Sequence, residues 1–378
     1  MHLGCAGTAD TTIYVPPIIF DRNSNSVPRL VRVADLLWCG TGLSGLHHGA
    51  AIRPPTSVYS LPLALVEWVD GWDAGPQAIG EDLHMYLKCF FAVAGNLTAR
   101  TVPSAASQSN VHSDMKGLWG WLDIHRARYR QAIRHMWGSL DMGYAVRRTA
   151  ELWWRRNALD SSDTVLQAIP LCHSERRYLK TNAKLREYCE DEVRGQLSTS
   201  RAPLASPSDL PITSPAFQPH STNVAILLHR LFEAHSLPTH MVVVTVASAL
   251  YTFHKSSEDI APELAWTFRI ISYLRFFGAI GMSSYLVLYE EFHRTCVRSR
   301  EEEMERAGLT DHIQAGFAHR KFWVNIFDYC MFPVAGTLYG TVPAIHAQLC
   351  HFWTTDLVYS VSLKPQKESP AIEVDKIV

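Results

Sequence analysis

The chain has 378 residues, enough for two or three folded regions with a substantial core, and 47% of them are hydrophobic. Its mean hydropathy of -0.04 lies at the apolar end of the range for soluble domains. A formal net charge of -1 excludes a general electrostatic attraction to nucleic acid, and eight scattered cysteines without a C-x-x-C pair argue against a disulfide framework.

The first 156 residues mix short strand patterns with helical ones. Residues 13–15 and 18–20 are β-rich runs on either side of a Pro-Pro pair, and residues 101–103 are typical of the end of a strand. After Asp82, apolar residues recur at helical spacing until Gly95, a natural helix terminator; they are Leu83, Leu87, Phe90, Phe91 and Ala94. This alternation predicts an α/β region over residues 1–156.

The later part of the chain changes character twice. Residues 157–222 are polar and then rich in Ser and Pro, which predicts a linker or insertion. Residues 236–253, 270–289 and 322–345 are apolar apart from Arg275 and Asp328, and residues 346–363 are a weaker fourth candidate. Their lengths predict three to four transmembrane helices within residues 223–363, followed by a tail at 364–378. A soluble domain with buried helices is the open alternative.

Basic residues predict the orientation of those helices. The segment 290–321 is rich in arginine, whereas the short loop at 254–264 has only Lys255. By the positive-inside tendency, the arginine-rich segment faces the cytosol. Counting spans backward then places the N-terminal α/β region in the cytosol as well, as part of a multi-pass integral membrane protein.

Two motifs suggest chemistry. Glu81 and Asp82 open the predicted helix, where exposed amide dipoles favour ionised carboxylates, and an ionised Asp can act as a general base on a sugar hydroxyl. Gln131 and Arg134 lie one turn apart on a basic helix and suit hydroxyl and phosphate ligands respectively. The alternatives are an ordinary acidic helix start and a basic helix resting in solvent or on lipid headgroups, the latter favoured by Trp153 and its neighbours.

Together these motifs resemble those of membrane-embedded family 2 glycosyltransferases, the group of chitin, cellulose and hyaluronan synthases, and most of all uncharacterised fungal glycosyltransferase-like membrane proteins. The "ED" motif of that family matches Glu81 and Asp82, with Asp82 as catalytic base. Its "Q-x-x-R-W" motif matches Gln131, Arg134 and His135, with histidine where tryptophan is usual and Trp137 two residues further on. The resemblance implies a GT-A (Rossmann-like) catalytic region and inverting transfer of a sugar from a nucleoside diphosphate to a glycan or lipid-linked acceptor.

One departure from the family is large. The resemblance implies a D-x-D motif that binds divalent Mg or Mn, but no D-x-D occurs in this sequence, and Asp70 and Asp73 are three residues apart. We therefore expect no metal ligands in this chain and only a partial GT-A region, incomplete at its N-terminus. A catalytically inactive scaffold or regulatory remnant is the alternative to an active transferase.

Overall fold

The computed structural model describes residues 9–47, 49–73, 80–160, 219–255, 260–310, 316–355 and 357. The chain forms two compact units, each assembled from three separate stretches. Unit 1 comprises Met1–Pro17, Thr41–Pro103 and Trp137–Leu237; unit 2 comprises Ile18–Gly40, Ser104–Met136 and Pro238–Val378. The predicted boundaries after residues 156, 222 and 363 stay predictions, and most of the predicted linker and all of the tail lie outside the described residues.

Four strands and twelve α-helices make up the regular structure of the described residues. The strands are β1 (Thr12–Val15), β2 (Ile18–Phe20), β3 (Thr98–Thr101) and β4 (Ala106–Gln108). The first six helices are α1 (Arg29–Trp38), α2 (Gly40–Ser44), α3 (Leu63–Trp68), α4 (Glu81–Ala92), α5 (Gly117–Met136) and α6 (Ser139–Asp160). The others are α7 (Ser221–His235), α8 (Leu237–His254), α9 (Pro262–Arg306), α10 (Phe322–Cys330), α11 (Phe332–Gly336) and α12 (Val342–Cys350), with a π-helical turn at Thr337–Thr341 between the last two.

Unit 1 is built around helix α4. Its apolar face is buried with α6 and α7 in a core that includes Tyr86, Phe90 and Leu227, each fully buried. Strands β1 and β3 pair in parallel beside this core, from Thr12 opposite Thr98 to Val15 opposite Thr101. The helix ends as predicted: Gly95 adopts a φ of +85° and donates its N–H to the carbonyl of Phe90, which satisfies a carbonyl at the helix C-terminus.

Unit 2 contains the second pair of parallel strands, β2 and β4, with Ile18 opposite Ala106. Helix α1 packs against α5, α10 and α11, and α12 packs along α5. Val31 and Ala34 of α1 and Ala132 of α5 meet in one apolar cluster with Tyr339. The basic helix α5 is therefore held on its buried side by α1 and by the segment that ends in α12.

The mixed α/β character predicted from the sequence is confirmed, and so are the strands predicted on both sides of the Pro-Pro pair. Parallel pairing agrees with strands that alternate with helices along the chain. Among the described residues the sheets have only two strands each. A GT-A fold, which needs a larger sheet, stays a prediction.

One described helix, α9, is long and apolar enough to cross a membrane; α7 and α8, joined at a bend, meet the same criterion only when taken as a pair. Only 6% of the apolar window of α9 is buried, unlike the core helix of a soluble protein. Its exposed side chains include Trp266, Phe276 and Phe277. This gives weak support for membrane association, and a bundle of three to four spans is not established.

Two of the sequence predictions for this region need correction. Residues 290–306, expected in a loop, continue helix α9, where Glu291 pairs with Arg294 and Glu302 with Arg306 at helical spacing. The apolar stretch 322–345 is divided among α10, α11, the π-helical turn and α12. Pro333 and Pro343, which lack a backbone N–H, lie within this divided region.

The charge of Asp328 within that stretch has a structural explanation. Asp328 is 1% exposed and accepts two hydrogen bonds from Arg32 of α1, at 2.7 and 2.8 Å. Arg320 contacts the same carboxylate at 3.3 Å and also pairs with the buried Glu290 of α9. Asp328 thus links α10 to α1 through Arg32 and to α9 through Arg320 and Glu290.

Candidate active site

The acidic pair predicted from the sequence lies in unit 1, on the first turn of α4. Gly80 precedes the helix and offers no side chain to cap it, so the exposed N-terminal amides lie beside the carboxylates of Glu81 and Asp82. Asp82 Oδ1 accepts the N–H of Leu83 at 2.9 Å, and Oδ2 accepts the N–H of Ser57 at 2.8 Å. Both carboxylate oxygens are therefore held in place by the backbone.

Ser57 reaches Asp82 from a strained conformation. Its φ of +87° falls in the left-handed region, which a non-glycine residue adopts only at a cost of about 1–3 kcal/mol. In this conformation the N–H group of Ser57 points to the Asp82 carboxylate. Such strain in a loop facing a candidate base is typical of functional sites.

The pKa values of both carboxyls are raised. For Asp82 the main cause is burial, and the charge of Asp141 adds to it, while the N–H groups of Leu83 and Ser57 act in the opposite direction. For Glu81 burial again raises the pKa, whereas the hydroxyl of Tyr59, which donates to Oε2 at 2.9 Å, lowers it. A half-buried carboxyl with a raised pKa is a stronger base than an exposed one and suits general-base catalysis.

Further charged side chains surround this turn. His84 Nδ1 lies 2.6 Å from Asp141 Oδ1, and His84 Nε2 lies 3.7 Å from Asp73 Oδ2. Lys88, one turn later on α4, pairs with Asp73 at 3.0 Å and donates to the carbonyl of Gly71. The first two turns of α4 thus carry two acids followed by two bases, His84 and Lys88, and each base faces a carboxylate from outside the helix.

The second motif lies in unit 2, near the C-terminal end of α5. Gln131 and Arg134 are half-buried and one turn apart, as predicted. His135 stacks on the indole of Trp38 at the end of α1, with ring centroids 4.0 Å apart and an interplanar angle of 16°. His135, which stands where the family motif has tryptophan, is therefore stacked on a tryptophan from another helix, Trp38.

The six predicted site residues divide between the two units. Glu81 and Asp82 share one turn in unit 1, and Gln131, Arg134 and His135 share the end of α5 in unit 2. Trp137 follows α5 in unit 1 and is only 4% exposed. The substrate-binding role assigned to Trp137 stays a prediction, as do the roles of the other five.

The acidic side chains around α4, as far as the structure describes them, do not form a site for a divalent cation. In the described part of the chain, no group of three or more His, Cys, Asp or Glu side chains could hold a metal ion. The acids around α4 are instead engaged with donors: Asp82 with backbone N–H groups, Asp141 with His84, and Asp73 with Lys88.

The family model described as Glycosyl transferase family group 2 matches residues 5–279, well over half of the chain. The chain belongs to the family 2 glycosyltransferases. Membership assigns this glycosyltransferase to glycosyl transfer in general, with a nucleotide sugar and an acceptor as its substrates. Both motifs lie within the matched residues. No curated protein and no solved structure matches the chain.

Four residues around the candidate site were missed by sequence reasoning. His84 stands inside the acidic motif but reads as an ordinary helical residue, and Asp141 is an acidic residue in the first turn of α6. Tyr59 and Trp38 carry no local signal beyond being aromatic. Each becomes recognisable only through a partner that is distant in sequence, such as Asp141 for His84, 57 residues away.

Proposed function

We propose that this family 2 glycosyltransferase transfers a sugar, with inversion, from a nucleoside diphosphate donor to a glycan or lipid-linked acceptor. Asp82 acts as the general base that removes the proton of the acceptor hydroxyl, and Glu81 supports it. Gln131 and Arg134 hold the diphosphate and the acceptor. The finer likeness to polysaccharide synthases and fungal membrane glycosyltransferases is part of this proposal.

The environment of Asp82 is the observation that carries the proposal. Two backbone N–H groups fix both oxygens while leaving each with further acceptor capacity, so the carboxylate can still accept a proton from a hydroxyl. Its pKa is raised, mainly by burial, which makes the ionised carboxylate a better proton acceptor than an exposed one. Tyr59 holds Glu81 beside it on the same turn.

The stacked pair of Trp38 and His135 supports a carbohydrate ligand. A flat pair of rings offers an apolar face on which the C–H groups of a sugar ring can pack, and Arg134, the preceding residue, provides a planar fork for phosphate oxygens. Trp137 is proposed as part of the same acceptor recognition, through its position next to α5 in sequence.

The membrane part of the proposal rests on helix α9 and on exposed tryptophans. Trp153 and Trp154 of α6 are 38% and 59% exposed, as expected of residues at a lipid interface. We propose that the chain is a multi-pass membrane protein whose catalytic region faces the cytosol, where nucleotide sugars are available. The basic helix α5 then rests on the cytosolic leaflet.

The test is sugar transfer by membranes that contain the full chain, with radiolabelled UDP-glucose, UDP-N-acetylglucosamine and GDP-mannose as donors. Asp82→Asn should reduce product formation by 100-fold or more, on the order of a general base's contribution. Because asparagine presents an N–H₂ to one of the two backbone N–H donors, a melting curve must show that the variant is folded. Asp114→Asn, at a residue with an 83% exposed side chain, is the matched control. Equal transfer by wild type and Asp82→Asn would remove Asp82 from this role.

A catalytically inactive scaffold or regulatory remnant is the alternative, favoured by the lack of a described cluster of metal ligands. Nucleotide binding separates the two. A transferase should be stabilised by UDP or GDP, by about 2.7 kcal/mol at a nucleotide concentration 100 times the Kd. A remnant without a donor site should show the same melting curve with and without either nucleotide.

A further inference from the structure

His84 lies between two carboxylates in unit 1. Its Nδ1 is 2.6 Å from Asp141 Oδ1, its Nε2 is 3.7 Å from Asp73 Oδ2, and its ring packs against Tyr144 at 4.7 Å. A neutral imidazole can donate from only one nitrogen, so acceptors on both sides favour the imidazolium form. Burial alone would lower the pKa of His84, but the hydrogen bond and charge of Asp141, together with Asp73, outweigh it and the pKa is raised.

Asp141 connects this histidine to the candidate base. It is 8% exposed, and its charge acts on the Asp82 carboxyl two residues before His84. Its second oxygen lies beside the backbone at Gly80, only 3.5 Å from where a Cβ would stand. The contact between His84 and Asp141 therefore holds the first turn of α4, which contains Asp82, against the start of α6.

Two further charged side chains, Lys88 and Asp73, act on the pKa of His84 in opposite directions. Lys88 lowers the pKa of His84 and Asp73 raises it, and these two residues pair with each other at 3.0 Å. Glu81 is held by Tyr59, and the charge of Asp141 also acts on His235 of α7. The charges that act near Asp82 are those of Asp141 and of its neighbour Glu81, and the His84 imidazole pairs with the first of these.

We propose that His84 and Asp141 are positioning residues for the glycosyl transfer reaction, a partly buried ion pair in which the imidazolium offsets the Asp141 charge that would otherwise act on Asp82. This inference rests on the proposed function, in which Asp82 is the base. With the pair intact, the positive imidazolium opposes the effect of the Asp141 charge on the Asp82 carboxyl. Without the imidazolium, Asp141 acts on Asp82 as an uncompensated like charge.

The two halves of the pair should act in opposite directions, which a purely structural role would not produce. His84→Asn keeps a hydrogen-bond donor near the Nδ1 position but removes the positive charge, so the pKa of Asp82 should rise. Asp141→Asn removes the repelling carboxylate, so the pKa of Asp82 should fall. We expect shifts of about half a pH unit or more in each direction, with the double variant between the two single variants.

The titration can be measured without turnover, by NMR of the full chain labelled with ¹³C-aspartate in detergent micelles, where Asp82→Asn assigns the resonance. His229→Asn is the matched control, because His229 forms an exposed pair with Glu233 on α7 in the same unit. The acidic limb of the pH profile for transfer should move in the same directions as the titration.

Two different failures can be told apart. If Asp82 titrates identically in wild type, His84→Asn and Asp141→Asn, the ion pair does not act on Asp82 and the inference is overturned. If the titrations shift as expected but Asp82→Asn still transfers sugar at the wild-type rate, the pair is real and the base has been misassigned.

Discussion

Replacing Asp328 by asparagine should destabilise the protein by about 3–5 kcal/mol, because it leaves one buried and one part-buried guanidinium group, those of Arg320 and Arg32, without their shared carboxylate. Asp328 accepts two charge-assisted hydrogen bonds from Arg32, at 2.7 and 2.8 Å, and contacts Arg320 at 3.3 Å. Each charge-assisted bond contributes about 1.5–3 kcal/mol, and asparagine can replace one of them at most. Arg320 keeps its pair with Glu290, so the loss of stability should not exceed the upper end of this range.

The assay is urea unfolding of the purified full chain in detergent, followed by tryptophan fluorescence. Glu302→Gln is the matched control, because it breaks an exposed pair with Arg306 and should cost less than about 1 kcal/mol. The double variant Arg32→Met with Asp328→Leu should recover part of the loss, since apolar groups replace both charges together. A loss for Asp328→Asn no larger than that for Glu302→Gln would refute the network.

Two further predictions concern unit 1. Gly95→Ala should destabilise the protein by about 1–2 kcal/mol, because the φ of Gly95 is +85° and a Cβ there would lie 3.3 Å from Val224. Gly143→Ala is the control: it lies in a helix with open space around it and should be neutral or stabilising by up to about 1 kcal/mol. Thermal unfolding measures both variants, and equal shifts in their melting temperatures would contradict this prediction. His84→Asn should reduce the free energy of unfolding more at about pH 5.5 than at about pH 8.5. The reason is that the pKa of His84 is raised in the folded state, so its contribution to stability is full below the unfolded pKa of 6.5 and is lost as the pH rises through the folded pKa. A loss of stability that does not depend on pH would contradict this prediction.

Local features of the fold were predictable because they depend on neighbours in sequence. The helix from Glu81 to Ala92 follows from the spacing of its apolar residues and from the glycine that ends it. The strands on either side of the Pro-Pro pair follow from short β-rich runs beside residues that cannot continue a ladder. The acidic pair at the helix start and the Gln131–Arg134 turn were placed on the correct elements for the same reason.

The environments of these motifs depend on contacts that local patterns do not contain. Trp38 meets His135 only because α1 packs beside α5, and Asp141 meets His84 only because α6 packs on α4. Neither pairing has a periodicity or a spacing that marks it in the sequence. The charge balance around Asp82, on which its proposed chemistry depends, therefore required the structure.

Hydropathy is likewise a local property, and it does not predict what surrounds an apolar segment in the fold. Residues 270–289 and 322–345 look alike in composition, each with one charged residue in an apolar stretch. In the structure the first lies within α9, whose apolar window is almost unburied, while the second is broken near prolines and directs Asp328 to buried arginines. Apolar length predicts that a segment avoids water, but it does not distinguish lipid from protein as the surroundings. The partner of the charged residue helps to do so. Arg32 ties Asp328 into unit 2, whereas the exposed aromatic side chains of α9 leave that helix as the stronger candidate for contact with lipid.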